Sequence, residues 1–182
     1  MATTTKLVTY EEMLAMPEAH GVIEEVIDGE IHTMPPNKLP NADAVENLAD
    51  LLRARLDRKT VRVFTANFGL VIRKDPVTCR VPDLAVFVKN NMVVLDGYIH
   101  SAPELVVEVL SPSNTRRNLK RLLQDYESIG APEVWLLSRE AKTIEVLQLV
   151  DGRLVSVGTR NSGQIAPKLL PEAAIGIEAI WV

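Results

Sequence analysis

The chain has 182 residues, 47% hydrophobic and 24% charged, enough to bury one sizeable core. A formal net charge of −4 and a pI near 5.5 exclude an avid, non-specific nucleic-acid binder, but not an enzyme that meets nucleic acid over a local basic patch. Cys79 is the only cysteine, which rules out an intrachain disulfide; with no leader-like opening and no apolar run near membrane length, the expectation is a cytoplasmic protein without a membrane partner.

In chain order, Thr9 followed by Glu12 spells a capping box opening a short helix over residues 10–16, which Pro17 stops. Residues 22–27 and 31–34 flank Asp28-Gly29-Glu30 as a hairpin, and Pro35 and Pro36 then break the strand. From 41 to 58, Ala44, Val45, Leu48, Leu51, Leu52 and Leu56 recur at helical spacing and predict an amphipathic helix. Strand-like stretches follow at 61–65, 69–72, 84–88 and 105–110, with a loop over 89–103 that holds a short strand around Val93. A second helix is predicted over 113–129, closed by Gly130, and then a short buried strand over 134–137. Residues 144–150 and 154–157 flank Asp151-Gly152 as a second hairpin, and the alternating tail over 175–182 predicts an edge strand or a segment docked on a neighbouring element. No repeat or linker divides the sequence. This order of elements predicts a single α/β (α+β) domain over residues 1–182, a mixed sheet flanked by helices with a hairpin towards each end.

Glu108 carries the most chemical information. It lies inside Leu105-Val106-Val107-Glu108-Val109-Leu110, apolar on both sides, which reads as a strand buried on both faces. An ionised, unpaired carboxylate is costly there, so Glu108 needs a metal, a cation or a raised pKa; a structural ion pair is the bland alternative. Asp83 follows Pro82 at the head of an apolar run, where a turn aspartate is also common. If the two strands are neighbours, Asp83 and Glu108 converge on one hard cation, Mg²⁺ or Mn²⁺, which prefers oxygen ligands and keeps waters. Glu24 and Glu25 interrupt the apolar first hairpin, and Glu25 is a third candidate if it turns inward. Arg116, Arg117, Lys120 and Arg121 place four cations within six residues at the start of the second helix, a pattern that suits phosphate contact or a solvated helix face. The three histidines fit no metal motif, and no Gly-rich phosphate loop or nucleophile elbow is present.

Glu25-Val26-Ile27-Asp28-Gly29-Glu30, Arg80-Val81-Pro82-Asp83, and Pro103-Glu104 running into Leu105-Val106-Val107-Glu108-Val109-Leu110-Ser111-Pro112-Ser113 together resemble the Uma-two family of restriction-endonuclease-like proteins. So does Tyr126 with Gly130-Ala131-Pro132-Glu133-Val134-Trp135-Leu136. The resemblance implies the PD-(D/E)XK nuclease fold, with Asp83 and Glu108 as metal-binding carboxylates and Glu25 in support. It also implies a lysine, either two residues after the glutamate or four before the helix tyrosine. Those positions hold Leu110 and Leu122. At about 100° per residue, Lys120 lies roughly 200° from position 122, whereas Arg121 is offset by only about 100° and is the better substitute. Asn118 and Asn41 stand where the family often has an aspartate and a histidine.

Three functions stay open at this level. The first is a metal-dependent endonuclease hydrolysing DNA, weakened by the missing lysine, with Glu25, Asp83, Glu108 and Arg121 catalytic and Arg116, Arg117 and Lys120 holding phosphates. The second is an inactive relative that still binds nucleic acid. The third is a homo-oligomeric interaction module, for which the resemblance makes a dimer the expected form.

Overall fold

The computed structural model describes residues 7–17, 21–35, 37–111 and 116–182. Thr9 caps α1 (Tyr10–Leu14) as its spacing predicts: its hydroxyl accepts the Glu12 N–H at 3.2 Å, and the Glu12 carboxylate accepts the Thr9 N–H at 3.0 Å. β1 (Ile23–Ile27) and β2 (Glu30–Met34) form the first hairpin. Asp28 and Gly29 in its turn both take positive φ, 53° and 82°, as a two-residue turn matching the strand twist requires. α2 (Leu39–Arg53) begins earlier than residue 41 because Pro40 suits a first helical turn. It also ends short of residue 58: beyond it the chain folds into turns, with Asp57 accepting the Lys59 N–H at 2.8 Å.

β3 (Val61–Thr65), β4 (Leu70–Lys74), β5 (Val77–Arg80) and β6 (Leu84–Val88) follow. β5 is a strand that sequence reading misses. All four of its residues are buried, two of them polar, so neither an apolar run nor an alternation marks it. The expected loop at 89–103 contains a small hairpin, β7 (Val94–Leu95) and β8 (Tyr98–Ile99), and then β9 (Leu105–Val109) begins. α3 (Arg116–Ile129) is the second helix; its expected start at 113–115, like Pro36, lies outside the described residues. β10 (Glu133–Ser138) and the hairpin β11 (Thr143–Val150) with β12 (Arg153–Arg160) lead to a two-residue pairing of β13 (Gln164–Ile165) with β14 (Ile175–Gly176). Of the two expectations for the tail, docking on a neighbour holds, and strand structure is confined to β14. After β14 it winds into a 3₁₀ turn over Ile177–Trp181, and Asn47 of α2 donates to the carbonyls of Ile180 and Val182 at 3.3 and 3.1 Å.

The strands form two mixed six-stranded sheets, ordered β2-β1-β5-β4-β8-β7 and β12-β11-β10-β9-β6-β3. α2 and the C-terminal 3₁₀ turn cover one face of the second sheet, with Leu48, Leu52, Trp135, Leu137, Ile177 and Ile180 in one core. α3 lies on the other face, where Tyr126, Val106 and Leu136 pack together with Leu70 and Ile99 of the first sheet. α1 rests on the first sheet, with Tyr10 and Met13 against Val26, Val71, Val77 and Cys79. Among the described residues no helix is long and apolar enough to cross a membrane. Asp83 precedes β6 and Glu108 lies in β9, and those strands pair antiparallel with Leu84 opposite Val107. The two carboxylates thus meet at one end of the second sheet.

The first hairpin is clamped from both sides. The Gly29 N–H donates to Val77 O and the Gly29 carbonyl accepts the Val8 N–H, each at 2.8 Å. A Cβ on Gly29 would lie 2.9 Å from the Leu7 Cβ and 3.2 Å from Val8 O, at a φ that L residues resist. Gly29→Ala is therefore expected to cost about 1–3 kcal/mol. Its urea-unfolding midpoint measures this, and an unchanged midpoint would contradict the clamp.

Candidate active site

β6 and β9 deliver Asp83 and Glu108 to the floor of a cleft of about 480 Å³, whose rim comes from β1, β2 and α3. Alternation along β1 aims Ile23, Glu25 and Ile27 into this cleft, while Val26 faces α1. Asp83 is held at both oxygens: Val109 N–H donates to Oδ2 at 2.7 Å and Asn37 Nδ2 to Oδ1 at 2.6 Å. Burial raises its pKa, and these bonds, with one shared with the Glu108 side chain, oppose the rise without cancelling it. Glu108 accepts from the Tyr126 hydroxyl on α3. Loss of water around Glu108, followed by the Asp83 charge, pushes its pKa well above the carboxylate range; Glu25 adds to the push, while Tyr126 and Arg80 oppose it. Asp83 and Glu108 therefore titrate as a coupled acidic pair.

Glu25 does turn inward, but not to that pair. Its Oε2 accepts from Arg80 Nη1 at 2.8 Å and its Oε1 from Val81 N–H at 2.9 Å. Arg80 is 5% exposed, and its other face binds Asp125 through Nε at 2.9 Å and Nη2 at 2.6 Å. Asp125 also faces Arg73 at 3.3 Å and Arg121 at 3.4 Å, and both of those arginines pair with Asp28 in the hairpin turn. Three carboxylates and three guanidiniums thus form one neutral network. Desolvation alone would raise the pKa of Asp28, but Arg121 and Arg73 outweigh it and leave the value lowered.

Of the seven residues singled out in the sequence, Glu25, Asp83, Glu108 and Arg121 line the one cleft. Arg121 does so with its guanidinium engaged by Asp28 and Asp125. Arg116, Arg117 and Lys120 are exposed on α3, outside the cleft lining. Leu122 lines the cleft and packs into the core beside it, and Asn118 lines it too. Arg80, Asp125 and Asn37 escaped sequence reading. Only Arg80 left a trace, as a cation inside the Arg80-Val81-Pro82-Asp83 motif. Exposed cations are also not confined to α3: Arg53 at the end of α2 and Arg55, Arg58 and Lys59 beyond it form a second group. Cys79 is a buried hydrophobe of β5, its thiol pushed up to about 12 by burial and then by Glu25.

Among the described residues, no three His, Cys, Asp or Glu side chains gather as a metal-ligand set. Asp83 and Glu108 nevertheless offer carboxylate oxygens facing the cleft. Two such donors, both raised by burial and Glu108 also by the Asp83 charge, suit a hard divalent cation whose remaining ligands are waters.

A family model described as "Putative restriction endonuclease", Uma2, matches residues 10–178. No curated protein matches the chain. Among solved structures, the fold is similar to that of "a putative nuclease belonging to DUF820 from Anabaena variabilis ATCC 29413", with a TM-score of 0.76. The two share 18% identity over 96% of this chain and 97% of the other, a likeness that shows the fold alone.

Two stability measurements follow from the opposite treatment of the two carboxylate groups. Arg80→Met leaves Glu25 and Asp125 buried without their main partner, and is expected to cost about 3–5 kcal/mol in denaturant unfolding. Glu108 is protonated more readily when folded than when unfolded. Its contribution is therefore most favourable below the ordinary carboxylate pKa and is lost as pH rises towards the raised native value. Glu108→Gln removes that loss and should stabilise the protein at neutral pH by about 1 kcal/mol or more, with little effect near pH ~4. A Gln variant less stable than the parent at neutral pH would contradict the assignment.

Proposed function

Because the chain belongs to the Uma2 family, we propose that it is a restriction-endonuclease-like nuclease that uses Mg²⁺ or Mn²⁺ to hydrolyse phosphodiester bonds of DNA. The observation carrying this reading is the Asp83–Glu108 pair, two carboxylates with raised pKa at the floor of a cleft and, among the described residues, with no cation bonded directly to either. When bound, a divalent cation supplies Lewis acidity at the phosphoryl oxygen and eases ionisation of the attacking water. The chain's residues do the rest. Val109 N–H and Asn37 orient Asp83, and the Tyr126 hydroxyl orients Glu108. Arg116, Arg117 and Lys120 on the outer turns of α3 hold flanking phosphates. In the reaction, water oxygen bonds to phosphorus, the bond to the leaving sugar oxygen breaks, and that oxygen takes up a proton. Glu25 acts through Arg80, which it anchors near the carboxylates. Arg121 stands nearest to the missing lysine, and its pairing with Asp28 and Asp125 limits what it contributes.

The reading takes the chain as one domain that self-associates. β12 is an open sheet edge that leaves Val155 and Val157 exposed, a surface a second copy would cover.

A second reading has its own support: Leu122 puts an apolar side chain where the lysine would stand, so an inactive, DNA-binding protein fits the same cleft. Nicking of supercoiled plasmid in Mg²⁺ or Mn²⁺, beside calorimetric titration of the metals, separates the two. The nuclease reading expects metal binding and cleavage that falls by about 100-fold or more in Asp83→Asn and Glu108→Gln. Leu122→Lys is expected to raise the rate. Metal binding without nicking, together with an inert Leu122→Lys variant, would establish the inactive reading instead.

A further inference from the structure

The edge of the second sheet opposite β12 is β3, and a groove of about 580 Å³ lies along it. Arg53 at the end of α2, Arg58 in the turns that follow and Arg62 of β3 line the groove, together with Leu56, Val63 and Phe64. Among the described residues no carboxylate lines it. Residues 53–62 carry five cations against the single carboxylate of Asp57, in a chain whose net charge is −4. Asp57 stands outside the lining, and its Oδ1 accepts the Lys59 N–H at 2.8 Å. Arg53 is partly neutralised by Glu46 and Asp50, at 3.6 and 3.4 Å. Arg58 and Arg62 have no acidic partner among the described residues, so their charge is open to a ligand. A single exposed arginine is ordinarily just solvated, but three that converge on one concavity add their potentials.

The groove leads to the carboxylate end of the sheet. β3 pairs antiparallel with β6, with Phe64 opposite Ala85 and Thr65 opposite Leu84, the residue after Asp83. One residue further, the Ala66 N–H donates to the Asp83 carbonyl at 3.1 Å. Arg62 stands only three residues before Thr65, roughly 10 Å at about 3.3 Å per residue. By alternation Arg62, like its partner Phe87, lies on the face of the sheet that bears Val106 and Glu108. The backbone on this edge is partly engaged already: Val61 N–H donates to Asp57 O at 2.9 Å, and Arg53 Nη2 donates to Val63 O at 3.3 Å. An added strand from a second copy would have to displace these bonds, whereas a ligand met by the arginine side chains would not.

We propose that the groove along β3 holds backbone phosphates of the DNA strand whose scissile phosphate lies at Asp83 and Glu108. The inference rests on the nuclease reading and adds to it the course of the bound strand, from the carboxylates along the sheet edge. The occupant follows from charge complementarity. A nucleic-acid backbone repeats one anion per nucleotide, and guanidiniums meet phosphate through paired N–H donors. Contacts of this kind position a strand without reading its sequence.

The test uses the full chain, with Ca²⁺ in place of Mg²⁺ to suppress turnover. Fluorescence anisotropy follows binding of a labelled DNA duplex over a series of salt concentrations. Arg58→Gln combined with Arg62→Gln is expected to weaken binding about tenfold or more at ~0.1 M salt and to lower the slope of log affinity against log salt by about two. Arg58→Lys combined with Arg62→Lys keeps both point charges and should keep the slope. Unchanged affinity and slope in the Gln variant overturn the groove and leave the nuclease reading, which stands on metal binding and nicking, intact. A parent protein that binds no duplex at low salt overturns the groove, and absence of nicking as well overturns both. A Lys variant that loses the slope as fully as the Gln variant traces the effect to the fold of β3 and overturns the proposal. So does a Gln variant with altered self-association in sedimentation and unaltered DNA binding, which assigns the groove to a second copy of the chain.

Discussion

Arg80 is buried with a carboxylate on each side, Glu25 from β1 and Asp125 from α3. A guanidinium removed from water is tolerable only if nearly every N–H finds an acceptor, and here Nε, Nη1 and Nη2 all do. Asp125 in turn needs more than one cation, and takes Arg73 and Arg121; those two converge on Asp28. The chain of pairings runs from the first hairpin through β4 and β5 to α3, so it joins the first sheet to the helix that packs on the second. Little of its strength comes from net Coulomb attraction, which desolvation largely offsets. Its effect is on specificity: removing Arg80 leaves buried Glu25 without a cation and Asp125 without its two shortest bonds, which penalises arrangements of hairpin and helix that do not bring these three together.

The network also determines how the cleft is charged. By consuming Glu25 it leaves Asp83 and Glu108 as the acidic pair, and by consuming Arg121 it keeps that cation from neutralising them. Burial adds its own effect, first among the causes at Asp83 and Glu108. Asp28, inside the network, has its pKa lowered; Asp83 and Glu108, outside it, have theirs raised. An acidic pair held in a half-buried cleft by a backbone N–H, an asparagine and a tyrosine costs stability and has no evident packing role. Such a cost is common where a protein keeps a site for a cation.

β1 organises the spaces on either side of it. Its odd-numbered residues face the carboxylates and its even-numbered ones face α1, so a single strand separates the acidic cleft from a pocket lined by Phe68 and Tyr98. The loop after β3 reaches around the end of that partition and ties itself to the Asp83 backbone.

Local patterns in the sequence were sufficient for the capped first helix, both Asp-Gly hairpins, and the strands at 61–65 and 84–88. The same is true of Glu108, because a carboxylate in an apolar strand is anomalous wherever that strand lies. What stayed hidden depended on long-range partners. β5 has no periodicity, since polar Thr78 and Arg80 are buried by partners about 45 to 55 residues away. The tail's alternation left a strand or a docked segment open, and packing on α2 decided for a docked 3₁₀ turn. Glu25 and Arg121 were recognisable as charged residues near a site, yet which charges they meet is a property of the folded molecule. Pairing energies depend on separation and burial, and sequence spacing specifies neither once the partners lie on different elements.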